Sequence, residues 1–122
     1  MIRTNKLSRT IAILVALAGF VIPAAHAKSP EVKVCPVRSD SKVKQIDIFD
    51  GDPKDLAYLA PDDENSNTYT VSGIYERGSS ITVRCKYKDC KVVEVPLTAV
   101  IDKCVFSRSK QGASSLVCKQ RQ

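Results

Sequence analysis

The sequence Ile81-Thr82-Val83-Arg84-Cys85-Lys86-Tyr87 decides the fold, because apolar and polar side chains alternate strictly along it. An alternation with a period of two predicts a β-strand with one buried face and one exposed face. The predicted strand spans Ser80–Tyr87, and the side chains expected on its buried face are Ile81, Val83, Cys85 and Tyr87. A cysteine therefore lies on the buried face of the clearest strand in the chain.

Weaker alternation on both sides of this strand predicts the rest of the sheet. The segments concerned are 43–49, 69–74 with a bulge at Ser72-Gly73, 91–97, and a hairpin made by 103–107 and 114–119. In the first of these, Ile46 and Ile48 are expected to face inward. The predicted fold class is all-β to α+β, with a small antiparallel sheet of about five strands, one short helix and disulfide crosslinks.

The short helix is predicted where an acidic segment follows the first strand. Asp52 has a side chain suited to an N-cap, and Pro53 suits the first position of a helix. The predicted helix covers Pro53–Leu59 and places Leu56 and Leu59 on one face.

The first 27 of the 122 residues have the organisation of a secretory signal peptide. Three basic residues are followed by an apolar run over Ile11–Ile22 and by the small-residue site Ala25-His26-Ala27. This pattern predicts export to the bacterial periplasm and cleavage after Ala27. Residues 28–122 would then form a single small domain. The apolar run is too short for a lasting membrane anchor, so no stable membrane insertion is expected after cleavage.

Export determines how the five cysteines are interpreted. Small domains in an oxidising compartment use cysteines for disulfides, although two bridges among five cysteines can form in many ways. Antiparallel pairing of the last hairpin places Cys104 opposite Cys118. Cys35 and Cys85 then remain as a second pair that ties the N-terminal segment to the central strand. Cys90, expected at a turn, is the candidate free thiol and a candidate link between two chains.

Several kinds of chemistry are disfavoured by residue types that the mature sequence lacks. The single histidine belongs to the leader, so no Ser-His-Asp or Cys-His arrangement is expected. Zinc sites need closely spaced Cys or His ligands, and no Cys-x-x-Cys pair occurs. We therefore expect no catalytic residues, no metal and no cofactor. A carboxylate-based hydrolase is the distant alternative, and its candidate residues are Asp47, Asp50, Asp52 and Asp55.

Charge is distributed unevenly along the chain, whose net charge falls from +6 to +3 when the three bases of the leader are removed. Segment 47–64 is strongly acidic, whereas segments 77–91 and 103–121 are basic. Such a bipolar surface steers association with a charged protein, and the acidic segment disfavours nucleic acid. The alternative is that these charges only keep exposed faces soluble. The candidate binding surface, chosen for interface-prone tyrosine and for cations, consists of Tyr58, Tyr69, Tyr75, Arg77, Arg84 and Lys86.

A series of short motifs runs through the chain in a fixed order. The motifs are Cys35-Pro36, Ile48-Phe49-Asp50-Gly51-Asp52-Pro53, Leu56-Ala57-Tyr58-Leu59-Ala60-Pro61-Asp62, Val83-Arg84-Cys85-Lys86-Tyr87, Val95-Pro96-Leu97, Lys103-Cys104 and Cys118-Lys119. The series resembles an uncharacterised family of small exported proteins of Gram-negative bacteria. Some relatives in that family are encoded near type VI secretion genes, which implies an immunity-type role. Its members commonly carry four cysteines that match Cys35, Cys85, Cys104 and Cys118.

These features together predict a non-enzymatic periplasmic binding module, an inhibitor or immunity-type protein that acts on a protein partner. The chain is also similar in kind to the periplasmic lysozyme inhibitors, which are small, exported, all-β and disulfide-bonded. Only Ser72-Gly73 and Tyr75 correspond to their inhibitory loop. The alternative function is that of an accessory envelope protein without one strong partner.

Overall fold

Seven β-strands and one short α-helix make up the regular structure in a computed structural model, which describes Gly19 and residues 30–122. The predicted leader, residues 1–27, lies outside the described residues apart from Gly19. The helix α1 spans Ser72–Glu76, and a 3-10 turn spans Pro53–Asp55. No helix among the described residues is long and apolar enough to cross a membrane. The strands are β1 (Glu31–Lys33), β2 (Val43–Asp50), β3 (Thr68–Thr70), β4 (Ile81–Tyr87), β5 (Val92–Leu97), β6 (Ile101–Arg108) and β7 (Ser114–Gln120).

The strands form two antiparallel sheets. A four-stranded sheet has the order β1-β7-β6-β3, and a three-stranded sheet has the order β2-β4-β5. This arrangement confirms the predicted all-β to α+β class. The strand that falls outside the predicted segments is β1, which has only three residues, too few for an alternation to be visible.

The three-stranded sheet is built around β4, as the alternation of Ser80–Tyr87 predicts. β2 pairs with one edge of β4 and β5 with the other. A bulge between Val43 and Gln45 shifts the register of β2, so that Val43 lies opposite Tyr87 and is buried with it. The inward side chains of β4 are at most 1% exposed, and they are Ile81, Val83, Cys85 and Tyr87.

The four-stranded sheet is built around the hairpin of β6 and β7. Cys104 and Cys118 lie opposite each other in this hairpin, and they form a disulfide with Cα atoms 4.0 Å apart. So close a spacing is typical of a pair that is not itself hydrogen-bonded in an antiparallel ladder. The structure thus contains the pair that the hairpin register predicts. β1 pairs with β7, and β3 pairs with β6.

The chain between β1 and β2, residues 34–42, crosses from one sheet to the other and is called the arm. Near its start, Cys35 forms a disulfide with Cys85 in β4, with Cα atoms 5.8 Å apart. The Val34 N–H donates to the carbonyl of Leu116 in β7. The arm therefore ties both sheets together, and buried side chains from both form one apolar core.

The predicted helix over Pro53–Leu59 is wrong beyond its first turn. The Asp52 carboxylate accepts a hydrogen bond from the Lys54 N–H at 3.0 Å, as an N-cap should. Leu56 then adopts a left-handed conformation with a φ of 55° and is 66% exposed. The reason is that residues 57–59 hydrogen-bond to the edge of β2, and this extended pairing replaces a further helical turn.

The predicted bulged strand over 69–74 is wrong after Thr70, where the chain turns into α1. Val71 and Ile74 are both buried, and a separation of three residues places two side chains on one face of a helix. The Arg77 N–H donates to the Gly73 carbonyl at the end of this turn. The apolar spacing that resembles an interrupted strand is in fact the spacing of one helical turn.

We expect the two disulfides to supply a large part of the stability of this domain. Replacing Cys35 and Cys85 together by serine opens a loop of about 51 residues, for which chain entropy gives a loss of about 4 kcal/mol. Replacing Cys104 and Cys118 together opens a loop of about 15 residues and costs about 3 kcal/mol. Each loss lowers the Tm by more than about 10 °C, which thermal unfolding followed by circular dichroism measures.

Cys90→Ser is the matched control, since Cys90 is exposed and forms no disulfide. Its Tm should equal that of the parent protein. Equal melting temperatures for the parent and both double variants would show that the crosslinks contribute nothing to stability.

Candidate protein-binding surface

The pairing of β2 with β4 sorts charges along the three-stranded sheet. The end where β2 begins and β4 ends is called the basic end. Lys44 and Lys86 lie there, and the Lys88 N–H donates to the Lys42 carbonyl just beyond the two strands. β2 extends about 23 Å from the basic end to the opposite end of the sheet. This opposite end is called the acidic end. Its carboxylates are Asp50, Asp52 and Asp55.

One face of the three-stranded sheet packs on the core, and the opposite face is called the outer face. The strand registers place nine side chains on it, because residues opposite each other in a ladder share a face. They are Gln45, Asp47 and Phe49 from β2, Thr82, Arg84 and Lys86 from β4, and Val92, Glu94 and Pro96 from β5.

Phe49 is fully buried although it lies on the outer face. The Tyr58 ring packs on it with ring centroids 4.5 Å apart, and the Arg84 guanidinium carbon lies 4.8 Å from the Phe49 centroid. Tyr58 itself is 55% exposed. The outer face therefore presents an accessible tyrosine ring that packs on Phe49, and the Phe49 ring also makes a cation–π contact with Arg84.

Arg84 is fixed on its other side by β5. Its guanidinium donates to the Glu94 carboxylate at 3.2 Å. Lys86 lies one step nearer the basic end and forms no ion pair within the described part of the chain. Three of the six predicted binding residues, Tyr58, Arg84 and Lys86, thus belong to this side of the protein.

Tyr69 and Tyr75 pack inward instead. Tyr75 donates its hydroxyl hydrogen to the Leu97 carbonyl at 2.8 Å, and both rings contact the core. Burial raises the pKa of both phenols, and the charge of Asp47 adds to the rise at Tyr69. Their rings therefore serve chiefly to connect β3 and α1 to the core.

Arg77 lies at the acidic end, where its guanidinium contacts the Asp50 carboxylate at 3.3 Å. Other carboxylates considered for a hydrolase are also engaged in local contacts. Asp52 caps the 3-10 turn, and Asp47 accepts from the Gln45 amide at 3.2 Å. Among the described residues, no three His, Cys, Asp or Glu side chains are grouped so that they could hold a metal ion.

A groove of about 340 Å³ opens at the basic end between the arm and the end of the β6–β7 hairpin. Sequence reasoning missed it, because its walls come from segments about 70 residues apart. The only sequence signal is that both segments are basic and rich in serine. The arm contributes residues 35–38, 41 and 42, the hairpin contributes 107–109 and 113–115, and Lys33 and Val43 complete the lining.

Arg38 fixes the arm against the end of the three-stranded sheet. Its guanidinium carbon lies 4.8 Å from the Tyr87 ring centroid, and it donates to Asp89 at 2.8 Å and to Asp40 at 3.0 Å. The Tyr87 hydroxyl donates to the Pro36 carbonyl. The hydrogen bond from Arg38 lowers the pKa of Asp89 to about 2. One wall of the groove is therefore held by several contacts besides the disulfide.

Cys90 follows β4 in a turn, where it has a φ of 69° and an exposed thiol. The structure contains the two disulfides described above and leaves this cysteine unpaired. A dimer linked through Cys90 stays a prediction.

Comparison with known proteins gives one family match. The model of the Type VI secretion system Tli immunity protein family matches residues 32–119. The match begins in β1 and ends in β7, so it includes both sheets, both disulfides and the outer face. No curated protein and no solved structure matches. The similarity in kind to lysozyme inhibitors gains no support from these comparisons.

Replacing Arg38 by alanine should raise the pKa of Asp89 from about 2 toward the ordinary aspartate value of about 3.9. The pKa of Asp89 is lower in the folded protein than in the unfolded chain. The Arg38–Asp89 pair therefore stabilises the folded protein at pH values above the unfolded-state pKa of Asp89. This contribution is lost as the pH falls through about 2. The variant should therefore be less stable at neutral pH and lose less further stability on acidification. An NMR titration of the Asp89 carboxyl carbon measures the shift.

Arg121→Ala is the control, since it removes ion pairs with Asp102 and Glu76 in another part of the protein. It should leave the titration of Asp89 unchanged. An unchanged Asp89 pKa in Arg38→Ala would mean that Arg38 does not hold the arm as described.

Proposed function

The chain belongs to the Type VI secretion system Tli immunity protein family, and we propose that it blocks a toxic effector protein by binding it in the periplasm. It is an immunity-type binding protein that acts on a protein partner. The match over residues 32–119 carries this conclusion, because it includes all the strands that form the core.

The proposed compartment is supported by the disulfides. Two structural crosslinks in a small domain fit an oxidising environment such as the periplasm. The pattern of residues 1–27 supports export, and cleavage after Ala27 would leave the single domain 28–122. Effector and immunity protein would then meet in the same compartment.

We infer that the protein inhibits the effector by binding to it and not by catalysing a reaction. The engagement of Asp47, Asp50 and Asp52 in local contacts argues against the carboxylate-based hydrolase. No histidine lies in residues 28–122, which also argues against a common general base. A binding role needs none of these groups.

The outer face supports the proposal as the docking surface. Tyr58 offers an exposed ring whose position on Phe49 is already fixed, so that binding costs little conformational freedom. Arg84 is likewise positioned before binding by Glu94. Tyrosine and arginine are enriched among the few residues that dominate binding energy in protein interfaces. Lys86 adds a positive charge beside them.

The other candidate residues take less central places in the proposed contact. Arg77 lies at the acidic end and is 65% exposed at its side chain, so it fits the rim. Tyr69 and Tyr75 support the fold from inside. The proposed contact is therefore centred on Tyr58, Arg84 and Lys86.

Tyr58→Ala should weaken binding of the proposed effector partner by at least about tenfold, or about 1.4 kcal/mol, because it removes the pre-positioned ring. Tyr58→Phe keeps the ring on Phe49 and should bind nearly as well as the parent protein. Calorimetry with purified partners measures the affinity. Growth of cells that export the effector to the periplasm measures protection.

Reversing both cations, Arg84→Glu with Lys86→Glu, should slow association and reduce its salt dependence. The control is Lys103→Glu on β6 of the other sheet, which should associate at the parent rate. A parent protein that neither binds the effector nor protects the cells would refute the immunity role and leave the accessory envelope function.

A further inference from the structure

The groove at the basic end lies outside the proposed outer-face contact, and we propose that it receives an acidic segment of the same effector. The inference rests on the proposed function and adds a second contact to it. The recognised chemistry is a short stretch of chain that carries aspartate or glutamate carboxylates next to an apolar side chain.

Uncompensated cations are the first observation. Lys33, Lys42 and Arg108 line the groove, and within the described residues none of them forms an ion pair. Arg38 also lines it, but its guanidinium is already paired with two aspartates. None of the described lining residues is acidic. A concave surface with charge of one sign concentrates ligands of the opposite sign.

Each wall also has a hydroxyl group that is available to donate. The Ser41 Oγ of the arm accepts from the Asp89 N–H at 3.2 Å, and the Ser109 Oγ of the hairpin accepts from the Ala113 N–H at 3.1 Å. A serine hydroxyl that accepts one hydrogen bond still has its own hydrogen to donate. Both serines can therefore donate to a carboxylate that enters the groove.

The apolar part of the groove favours a polypeptide over a small anion. Val37 lines the groove and is 80% exposed, and exposed Pro36 lies beside it. Covering Val37 removes apolar surface from water, which a free phosphate or sulfate cannot do. An occupant that contacts both the cations of the groove and the apolar surface of Val37 carries an apolar side chain near its carboxylates.

Both walls are fixed before any ligand enters. The arm is held by the Cys35–Cys85 disulfide and by the contacts of Arg38. The hairpin is held by the Cys104–Cys118 disulfide. A groove that is formed in advance avoids the cost of ordering its walls on binding.

The groove and the outer face meet at the same end of the three-stranded sheet. Lys42 lines the groove, and its carbonyl accepts from the N–H of Lys88, two residues after Lys86 of the outer face. One effector surface can therefore contact both regions. An anionic membrane is the competing occupant, but it is planar and fits a concave site less well.

The first test probes the groove without the effector. The oxidised, ¹⁵N-labelled protein is titrated with the acidic peptide acetyl-DELDE-amide and, separately, with the neutral peptide acetyl-NQLNQ-amide. The acidic peptide should shift backbone amide signals of Val37, Ser41, Lys42 and Ser109, and the neutral peptide should not. Arg108→Glu should abolish these shifts, Arg108→Lys should keep them, and Lys103→Glu is the matched control on the same strand.

The second test uses the effector. Lys42→Glu and Arg108→Glu should each weaken effector binding by about fivefold or more and flatten its dependence on salt, whereas Lys103→Glu should leave both unchanged. Circular dichroism checks that each variant is folded. Vesicles that contain phosphatidylglycerol serve as the membrane probe.

The outcomes separate the two proposals. Effector binding that survives both groove substitutions overturns the groove assignment and leaves the immunity function standing. A parent protein that binds no effector overturns the immunity function, and with it the occupant named here. The groove assignment is also overturned if the acidic peptide shifts none of the amide signals of the groove. Shifts caused by the vesicles in that case would assign the groove to an anionic membrane instead.

Discussion

The Cys35–Cys85 disulfide is the constraint on which the rest of the structure depends. β1 belongs to one sheet and β4 to the other, and the crosslink sits where the chain passes between them. A small domain has only about 5–15 kcal/mol of net stability, so closing one long loop is a substantial part of it. The arm that this bond anchors also carries Arg38, which lies over Tyr87, and it lines a groove together with the β6–β7 hairpin. Core and groove therefore share one covalent link, which fits an oxidising compartment.

Sequence reasoning succeeded where one face of a strand is buried and long enough to show its period. β4 alternates over seven residues, and the register of the last hairpin leads directly to the Cys104–Cys118 pair. It failed where pairing with a neighbour overrides local preference. Asp52 caps the turn that follows it as expected, but residues 57–59 gain more from pairing with β2 than from continuing a helix. It also failed at α1, because a single helical turn is too short for its period to be distinguished from an interrupted strand.

The candidate surface could be predicted from the sequence only in part. Tyr58 and Arg84 could be named from residue type, but Tyr58 reaches Phe49 only because residues 57–59 pair with the edge of β2. By alternation alone Phe49 should be exposed, yet it is fully buried. Tyr69 and Tyr75 show the opposite case, since sequence gives their chemistry but not the direction in which they point. The groove could not be predicted at all, because it exists only once the arm lies against the hairpin.

The sorting of charge along β2 has a consequence for how the proposed complex would form. A basic end and an acidic end about 23 Å apart give the sheet a direction, so that an acidic patch on a partner is attracted at one end and repelled at the other. Attraction of this kind acts before contact and chiefly raises the association rate. The fixed Tyr58 ring and the fixed groove walls act after contact, where they lower the cost of ordering and slow dissociation. An inhibitor that must engage a toxin soon after it arrives gains from both effects. The contribution of Tyr58 is separable from the attraction, because its ring packs on Phe49, away from the cations of the basic end.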